Sequence, residues 1–372
     1  MRIGVPKEIK NQEYRIGLTP DAVKEYIKHG HSVLVEADAG IGIGSDNQEY
    51  INVGAEIVQT ASEVFLNADM IIKVKEPQPN ECKLLRENQI LYTYLHLAPD
   101  PKQTHGLLES GCTAVAYETV TDDQGGLPLL APMSEVAGKL SIQAAAKCLE
   151  KHHGGAGLLL GGVPGVCPAR VVILGGGVVG TNAAKIAIGM GAEVTILDRS
   201  LKRLRELDDL FGGRVRVIYS TQSAIESELT LADVVVGSVL IPGASAPKLV
   251  SREMLKTMKK DSVLVDVAID QGGCFETSKP TTHAKPTYAV DGVIHYCVTN
   301  IPGAVPRTSC YALNNATLTY GLALADNGLA AFDDPHLLSG LNIYNGKVTN
   351  RSVALSLGLD FYDPTSILLK TN

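Results

Sequence analysis

The chain has 372 residues, a formal net charge of −7 and seven cysteines. Its length allows two or three domains with sizeable cores. The acidic balance, without a basic run, argues against nucleic acid as a partner, and no apolar stretch reaches the roughly 18 residues that suggest a membrane span. The first ten residues are unlike a signal peptide. The scattered, odd-numbered cysteines form no CxxC pair, which favours reduced thiols in a cytoplasmic protein over disulfides or zinc ligands.

Strands and helices alternate through the first third of the chain. Apolar runs predict strands at 2–5, 32–36, 70–74, 90–94 and 113–116, and helices between them at 62–66, 80–87 and 101–110. The first helix is predicted to begin with Thr19 as N-cap and Pro20 at the first helical position, and to close at Gly30. This alternation predicts an α/β domain over residues 1–130 with a mostly parallel sheet.

A second α/β unit follows a predicted long helix over 134–153 and a Gly/Pro-rich loop over 154–168. Its predicted strands are 171–174, 193–197, 216–219, 234–238, 262–266 and 293–298. Six strands match the doubly wound dinucleotide-binding fold. A breaker-rich linker over 300–306 then leads to predicted helices at about 308–326 and 335–340.

The residues after this linker are too few to form a domain alone. We therefore expect them to pack on the first domain. The predicted fold is α/β, with two doubly wound parallel-sheet domains and a cleft between them. One is a discontinuous substrate domain, 1–130 plus 306–372, and the other is a Rossmann dinucleotide-binding domain, 131–305.

A glycine motif marks the second unit as nucleotide-binding. Gly175, Gly177 and Gly180 have the G-x-G-x-x-G spacing between a predicted strand and a helix predicted over 178–190. The first glycine allows the tight turn, the second lets the backbone approach a pyrophosphate, and the third lets the helix pack closely on the strand. The pyrophosphate would then lie at the positive helix N-terminus. An ordinary glycine-rich turn is the alternative, and the flanking strand and helix argue against it.

Asp198 ends the next predicted strand, eighteen residues after Gly180. Its carboxylate is placed to hold the ribose hydroxyls of adenosine and would repel a 2′-phosphate, which favours NAD over NADP. Three cations, Arg199, Lys202 and Arg203, weaken this preference because they could compensate the charge of such a phosphate.

Candidate catalytic residues follow the predicted strands, because ligands of such folds bind at the carboxyl ends of parallel strands. Lys75, His96 and Asp270 each come just after a predicted strand, and Arg15 lies in the loop ahead of the first helix. Each alone has a structural alternative: a solvated charge, a hydrogen-bonded core histidine, or an Asx turn at Asp270. Together they are what an amino- or oxo-acid oxidoreductase needs. No HxxH or Cys/His spacing indicates a metal.

Two long blocks resemble the signatures of the alanine dehydrogenase and pyridine nucleotide transhydrogenase family. The first block is Gly4-Val5-Pro6-Lys7-Glu8 with Asn11, Glu13, Arg15, Thr19 and Pro20, and the second runs from the glycine motif through Gly191-Ala192-Glu193-Val194 to Asp198. Further similar blocks lie at 72–77, 94–99, 132–138, 266–273 and 299–305. The resemblance therefore covers essentially the whole chain.

This resemblance implies roles for the residues selected above. Arg15 and Lys75 would hold the substrate carboxylate or carbonyl oxygen, and His96 and Asp270 would do acid–base work. The implied cofactor is NAD. The residues implied to bind it are Ser134, Gly175, Gly177, Val178, Val179, Gly180, Asp198, Arg203, Ser220, Val239, Leu240, Val267, Ala268, Ile269, Asp270, Lys279, Val298, Thr299, Asn300 and Ile301.

The implied activity is the reversible NAD-dependent oxidative deamination of L-alanine to pyruvate and ammonium, in a cytoplasmic homohexamer. The choice of alanine over serine or glycine rests on the resemblance. The main rival is the soluble nucleotide-binding subunit of a proton-translocating transhydrogenase. Against it, the chain ends at Asn372 without a membrane span and keeps the four candidate residues. A non-catalytic NAD-sensing regulator and a lysine-pathway enzyme that joins lysine to an oxo acid also stay open.

Overall fold

The computed structural model describes residues 1–239 and 246–369, and it forms two compact units. Unit 1 comprises Met1–Met133 with Val305–Asn372, and unit 2 comprises Ser134–Ala304. Each unit has one sheet of mostly parallel strands with helices. The predicted α/β class is therefore confirmed. Among the described residues, no helix is both long and apolar enough to cross a membrane.

The described residues of unit 1 contribute eight strands to its sheet. These are β1 (Arg2–Val5), β2 (Ser32–Glu36), β3 (Glu56–Val58), β4 (Met70–Ile72), β5 (Ile90–Thr93), β6 (Thr113–Ala116), and, late in the chain, β14 (Leu341–Tyr344) and β15 (Lys347–Val348). Their order is β15-β14-β6-β5-β4-β1-β2-β3. Strand β14 pairs antiparallel with both β6 and β15, and the other neighbouring strands in the described part of this sheet are parallel. The winding direction reverses between β1 and β4, which makes this the topological switch point.

In unit 2 the described residues form a seven-stranded sheet. Its strands are β7 (Arg170–Leu174), β8 (Glu193–Asp198), β9 (Val215–Tyr219), β10 (Val234–Gly237), β11 (Val263–Asp266), β12 (Thr287–Val290) and β13 (Val293–Tyr296). The order is β12-β13-β11-β10-β7-β8-β9, with β12 antiparallel to β13 and the other neighbours parallel. The switch point lies between β7 and β10.

Fourteen α-helices fall within the described residues. They are α1 (Pro20–Lys28), α2 (Asn47–Asn52), α3 (Ala61–Asn67), α4 (Pro79–Cys82), α5 (Pro101–Ser110), α6 (Ala131–Cys148), α7 (Val178–Gly189), α8 (Leu201–Phe211), α9 (Gln222–Leu229), α10 (Arg252–Leu255), α11 (Pro306–Asn327), α12 (Pro335–Leu338), α13 (Arg351–Leu357) and α14 (Pro364–Leu368).

The core of unit 1 joins early and late parts of the chain. One buried cluster contains Phe65 of α3, Leu91 of β5, Leu107 of α5 and Ile343 of β14. Strand β5 is buried along its whole length, as expected for a central strand covered on both faces. The segment after residue 305 therefore completes the hydrophobic core of unit 1.

Helix α1 begins and ends as its sequence predicts. The Thr19 side chain accepts a hydrogen bond from the backbone N–H of Ala22 at 3.4 Å, and Pro20 is the first helical residue. Gly30, with a φ of +88°, follows the C-cap residue His29. The N-cap and the first-turn proline thus fix the start of this helix, and a left-handed glycine marks its end.

Several predicted boundaries are wrong. The helix predicted over 80–87 is the single turn α4, and the strand predicted over 70–74 stops at Ile72. Unit 2 has a seventh strand, β12, and unit 1 has the unpredicted pair β14–β15. Both unpredicted antiparallel pairs close through a two-residue turn, Asp291-Gly292 and Asn345-Gly346, in which all four residues have positive φ. This is the pattern of a type I′ hairpin turn.

Candidate active site

The candidate residues of unit 1 lie where β4 and β5 end. These strands are parallel neighbours, with Ile72 opposite Tyr92. The hydroxyl of Thr93 donates a hydrogen bond to the carbonyl oxygen of Lys75 at 3.0 Å. Lys75 therefore lies beside the segment that leads to His96, next to the switch point between β1 and β4. In doubly wound folds this is where ligands bind.

His96 has an unusual backbone conformation that a carboxylate stabilises. Its φ is +49°, in the left-handed region that non-glycine residues seldom adopt. Glu118 accepts hydrogen bonds from the backbone N–H of Leu95 at 3.1 Å and of His96 at 2.6 Å. The imidazole ring lies parallel to Tyr94, with ring centres 5.8 Å apart, and its side chain is 45% exposed. The ring is thus stacked on Tyr94 and accessible to solvent.

Lys75 is nearly buried, and Glu8 fixes its backbone. One carboxylate oxygen of Glu8 accepts hydrogen bonds from the N–H groups of Val74 at 2.7 Å and Lys75 at 3.1 Å. The other Glu8 oxygen lies 3.0 Å from the ammonium of Lys73. The segment that carries Lys75 is therefore tied to the residues that follow β1.

Lys73 lies at the centre of a buried ionic triad that the sequence did not predict. Its ammonium lies 2.9 Å from Glu81, in addition to its contact with Glu8, and its side chain is fully buried. Burial alone would lower the pKa of Lys73, but the two carboxylates outweigh it and raise the pKa. Burial also raises the pKa of Glu8, against the opposing effect of Lys73. Lys73 is therefore charged in the folded protein.

Arg15 is buried against a carboxylate. Its Nε and Nη2 donate to the two oxygens of Glu13 at 2.7 and 2.6 Å, while Nη1 lies 3.2 Å from the sulfur of Met133. Burial opposes the charge, but Glu13 outweighs it and raises the pKa of Arg15. The guanidinium is therefore charged and held in one orientation, a suitable state for recognising a carboxylate.

The glycine turn of unit 2 has the geometry that a pyrophosphate requires. Gly175 has a φ of +102°, which only glycine adopts readily. A Cβ on Gly180 would lie 1.9 Å from the carbonyl oxygen of Gly175, so this position admits no side chain. A Cβ on Gly177 would meet nothing within 4 Å. The turn is therefore tight, closely packed against the start of α7, and open at its middle glycine, as a dinucleotide needs.

Asp198 and Arg203 form hydrogen bonds with the backbone of this turn. Asp198 accepts hydrogen bonds from the N–H groups of Gly176 and Ser200, both at 2.8 Å. Arg203 donates to the carbonyl oxygen of Gly176 at 2.7 Å and to the hydroxyl of Thr181 at 2.8 Å. Its remaining amino group lies 2.7 Å from Glu206. The guanidinium of Arg203 therefore stabilises the glycine turn.

Most other predicted cofactor residues follow strands of the same sheet. Ser220 follows β9, Val239 follows β10, 267–270 follow β11, and 298–301 come two residues after β13. Because these strands are parallel, all four segments lie at the carboxyl edge of the sheet, beside the glycine turn. Leu240 lies outside the described residues.

Two predicted cofactor residues lie elsewhere. Ser134 is half-buried in α6. Lys279 is exposed between β11 and β12, and its ammonium lies 5.8 Å from the centre of the Tyr288 ring. Neither is at the end of a parallel strand.

Asp270 lies in a loop that Asp266 shapes. Asp270 is exposed in a 3₁₀ turn over Ile269–Gln271. The buried carboxylate of Asp266 accepts hydrogen bonds from the N–H groups of Ala268 at 3.1 Å and Cys274 at 2.8 Å, and from the hydroxyl of Ser278. Burial raises the pKa of Asp266, against the effect of these donors. Asp266 was not predicted, because nothing local in the sequence marks it as the centre of this loop.

Comparisons with known proteins cover almost the entire chain. Residues 4–137 match the N-terminal domain, and residues 141–351 the C-terminal domain, of the alanine dehydrogenase/PNT family. The chain is 56% identical to an alanine dehydrogenase of Halomonas elongata over 370 residues, which cover 99% of this chain and 100% of the relative.

Solved structures agree with this result. A structure of L-alanine dehydrogenase matches with a TM-score of 0.94 and 50% identity, over 96% of this chain and 99% of that chain. A transhydrogenase structure from Sinorhizobium meliloti matches with a TM-score of 0.81 and 24% identity, over 95% of this chain and 100% of that one, and so shares the fold. The resemblance predicted from the two sequence blocks is confirmed, and the chain belongs to the alanine dehydrogenase/PNT family.

Proposed function

We propose that this chain is an NAD-dependent alanine dehydrogenase, which converts L-alanine, NAD and water reversibly into pyruvate, ammonium, NADH and a proton. The observation that carries the proposal is the end-to-end match, at 56% identity, to a relative that bears this name. The transhydrogenase alternative has weaker support, because that structural match is 24% identical and extends to the fold alone. Membership of the family implies a nicotinamide dinucleotide as cofactor.

NAD is our choice between the two nicotinamide dinucleotides. The Asp198 carboxylate lies at the end of β8 beside the glycine turn, where it can accept hydrogen bonds from ribose hydroxyls and would repel a 2′-phosphate. Arg203 was a candidate to compensate such a phosphate, but its three nitrogens already contact Gly176, Thr181 and Glu206. This arrangement supports the preference for NAD.

The bound nicotinamide supplies the acceptor for the hydride that leaves the substrate Cα. Arg15, oriented by the hydrogen bonds that its Nε and Nη2 donate to Glu13, would bind the substrate carboxylate. Lys75 would stabilise negative charge that develops on the carbonyl oxygen. Both cations belong to unit 1.

The proton transfers are assigned to His96 and Asp270. His96, whose ring is stacked on Tyr94 and accessible to solvent, would exchange protons with the reacting water and amine. Asp270, exposed in the loop shaped by Asp266, would orient that water and stabilise positive charge on nitrogen. In this proposal, turnover needs the two cations, Arg15 and Lys75, together with these two proton carriers.

We also propose a homohexamer in the cytoplasm. The hexamer rests on the family resemblance. The compartment is supported by the seven cysteines, all of which are unpaired thiols, since proteins of oxidising compartments commonly form disulfides. Light scattering of the purified full chain tests the hexamer, and a monomer would contradict it.

A panel of amino acids tests the activity. Purified chain is incubated with NAD and, separately, L-alanine, L-serine, glycine or L-lysine, and NADH formation is followed by absorbance. We expect L-alanine to give the highest kcat/KM and NADP to replace NAD poorly. His96→Ala should lose turnover and keep NADH binding within a few-fold. Binding of NAD without any amino-acid-dependent reduction would indicate a regulator or a transhydrogenase subunit instead.

A further inference from the structure

Two imidazoles and a carboxylate converge just beyond the C-terminal end of α6. Nε2 of His152 lies 3.3 Å, and Nε2 of His153 lies 3.7 Å, from the same oxygen of Glu150. One ligand atom from each residue lies within 4.8 Å of the other two. We propose that Glu150, His152 and His153 form a binding site in unit 2 for a divalent transition-metal ion of the zinc class.

The distances of the two imidazole nitrogens from the Glu150 oxygen suit such an ion. Zinc binds imidazole nitrogen at about 2.0–2.1 Å and carboxylate oxygen at about 2.0–2.2 Å, usually with tetrahedral geometry. Neighbouring ligand atoms of such a tetrahedron are about 3.3–3.5 Å apart. The distances of 3.3 and 3.7 Å from Glu150 agree with this to a few tenths of an ångström. Two nitrogens and one oxygen leave the fourth position to water.

Backbone hydrogen bonds hold the ligand-bearing turn in place. Lys151–His153 forms a 3₁₀ turn, and the carbonyl oxygen of Glu150 accepts hydrogen bonds from the N–H groups of His153 at 3.0 Å and Gly155 at 3.1 Å. The backbone at Gly155 packs closely against the end of α6, since a Cβ on Gly155 would lie 2.1 Å from the carbonyl oxygen of Cys148. The three ligands therefore sit on a backbone that needs little ordering when an ion binds.

The helix end beside these ligands favours a cation. The C-terminal end of a helix carries partial negative charge, and α6 has 18 residues. Lys151 carries the one positive charge between the ligands in sequence, and its ammonium lies 3.3 Å from the carbonyl oxygen of Gly155 and 3.4 Å from Asp261. Asp261 therefore compensates the charge of Lys151. The side chains of Glu150 and His152 are 51% and 74% exposed, so an ion reaches them from solvent.

This site is separate from the predicted nucleotide site of the same unit. A Cβ on Gly138 of α6 would lie 2.2 Å from the carbonyl oxygen of Val179, so Gly138 packs beside the glycine turn. Gly138 precedes the last helical residue, Cys148, by ten positions (148 − 138), and at 1.5 Å per residue this separates the two ends of the segment by about 15 Å. Metal binding can therefore be measured apart from NAD binding and turnover.

Calorimetric titration of the tag-free full chain with Zn²⁺ tests the proposal. We expect one saturable ion per chain, and a loss of affinity of about tenfold or more in His152→Ala, His153→Ala or Glu150→Gln. The matched controls are His105→Ala, an exposed histidine of α5, and Cys167→Ser, an exposed thiol. Both controls should bind zinc as the unchanged chain does.

Thermal unfolding gives a second readout. Without metal, the ligand variants should unfold at the same temperature as the unchanged chain, because their side chains are exposed. Added Zn²⁺ should raise the midpoint of the unchanged chain and of both controls, since an ion that binds only the folded state stabilises it. Zinc binding that persists in a His152→Ala/His153→Ala double variant, or that Cys167→Ser abolishes, would overturn the proposal. So would the absence of any saturable site.

Discussion

Three carboxylates fix the backbone beside the candidate catalytic side chains. Glu118 binds the N–H of His96, Glu8 binds the N–H of Lys75, and Asp266 binds the N–H of Ala268 in the loop of Asp270. A carboxylate that accepts backbone hydrogen bonds is a strong, directional anchor. The precision of the site therefore depends on residues that need not touch the substrate.

Glu118→Gln tests this positioning. The amide keeps one acceptor oxygen but places an N–H₂ group near a backbone N–H, so the segment carrying His96 should shift. We expect kcat for L-alanine to fall about 10- to 100-fold, while the Kd for NADH stays within about twofold. The pH profile of kcat should also shift, which loss of stability alone would not produce. Glu109→Gln, an exposed glutamate of α5, is the matched control. An unchanged kcat and pH profile in Glu118→Gln would remove Glu118 from this role.

Lys73→Met tests the buried ionic triad. Removing the ammonium leaves Glu8 and Glu81 facing each other without a counter-ion in the interior. Breaking a buried ion pair in this way costs about 3–5 kcal/mol of stability. We expect a clearly lower thermal midpoint, whereas Lys24→Met, at an exposed lysine of α1, should change it little. Equal midpoints for the two variants would mean that the triad contributes little to folding.

At the scale of elements, the β7–α7 turn assigns different tasks to its glycines. Gly180 permits contact with the carbonyl oxygen of Gly175, while Gly177 leaves space at the helix N-terminus. A methyl group at Gly180 would clash with the protein backbone, whereas a methyl group at Gly177 would contact only a bound ligand. Substitution of Gly180 should therefore lower stability, and substitution of Gly177 should lower nucleotide affinity.

Gly177→Ala and Gly180→Ala form a matched pair. Gly177→Ala should keep the thermal midpoint and weaken NADH binding about tenfold or more, because the methyl group occupies the path of the pyrophosphate. Gly180→Ala should lower the midpoint, because its Cβ lies 1.9 Å from a backbone oxygen. Fluorescence titration with NADH and thermal unfolding measure the two effects. The account of the turn fails if Gly177→Ala binds NADH normally.

Signals in adjacent residues predicted some elements, whereas other features depend on contacts between distant parts of the chain. The Thr19-Pro20 start of α1 and the glycine turn before α7 were predicted from adjacent residues. The hairpins of β12–β13 and β14–β15 also have local signals, Asp291-Gly292 and Asn345-Gly346, although neither hairpin was predicted. By contrast, the contact between Glu8 and Val74 spans 66 residues, and no local pattern marks it.

The candidate site shows the same contrast between local sequence signals and contacts between distant residues. Strand ends indicated Lys75 and His96, but not Lys73, whose burial depends on acids from two other segments. The proposed metal ligands were missed for another reason. HxxH and Cys/His spacings are the usual sequence signs of a metal, whereas Glu150, His152 and His153 meet through a 3₁₀ turn.

At the scale of the whole molecule, the candidate residues are divided between the two units. Arg15, Lys75 and His96 belong to unit 1, and Asp270 belongs to unit 2 with the glycine turn. Each group lies beside the switch point or the carboxyl edge of its own sheet. Two sheets of the same design thus divide substrate and nucleotide recognition in the proposed enzyme.

Thiol reactivity tests the folded state of both units together. Six of the seven cysteines are buried and Cys167 is exposed. Burial raises the pKa of Cys112 and Cys148 to about 11, and that of Cys82, Cys274 and Cys310 to about 12, so little reactive thiolate forms at neutral pH. A thiol reagent should label one cysteine in the native chain, none in Cys167→Ser, and seven after unfolding. Rapid native labelling of a second cysteine would contradict the described packing.

Following the hydrogen on Cα shows whether this chain oxidises L-alanine with NAD. The purified chain is incubated with NAD and with L-alanine that carries deuterium at Cα. We predict pyruvate, ammonium and reduced nucleotide in equal amounts, with the deuterium in the reduced nucleotide by mass spectrometry. Reduced nucleotide without deuterium, or formed without pyruvate, would contradict the claim.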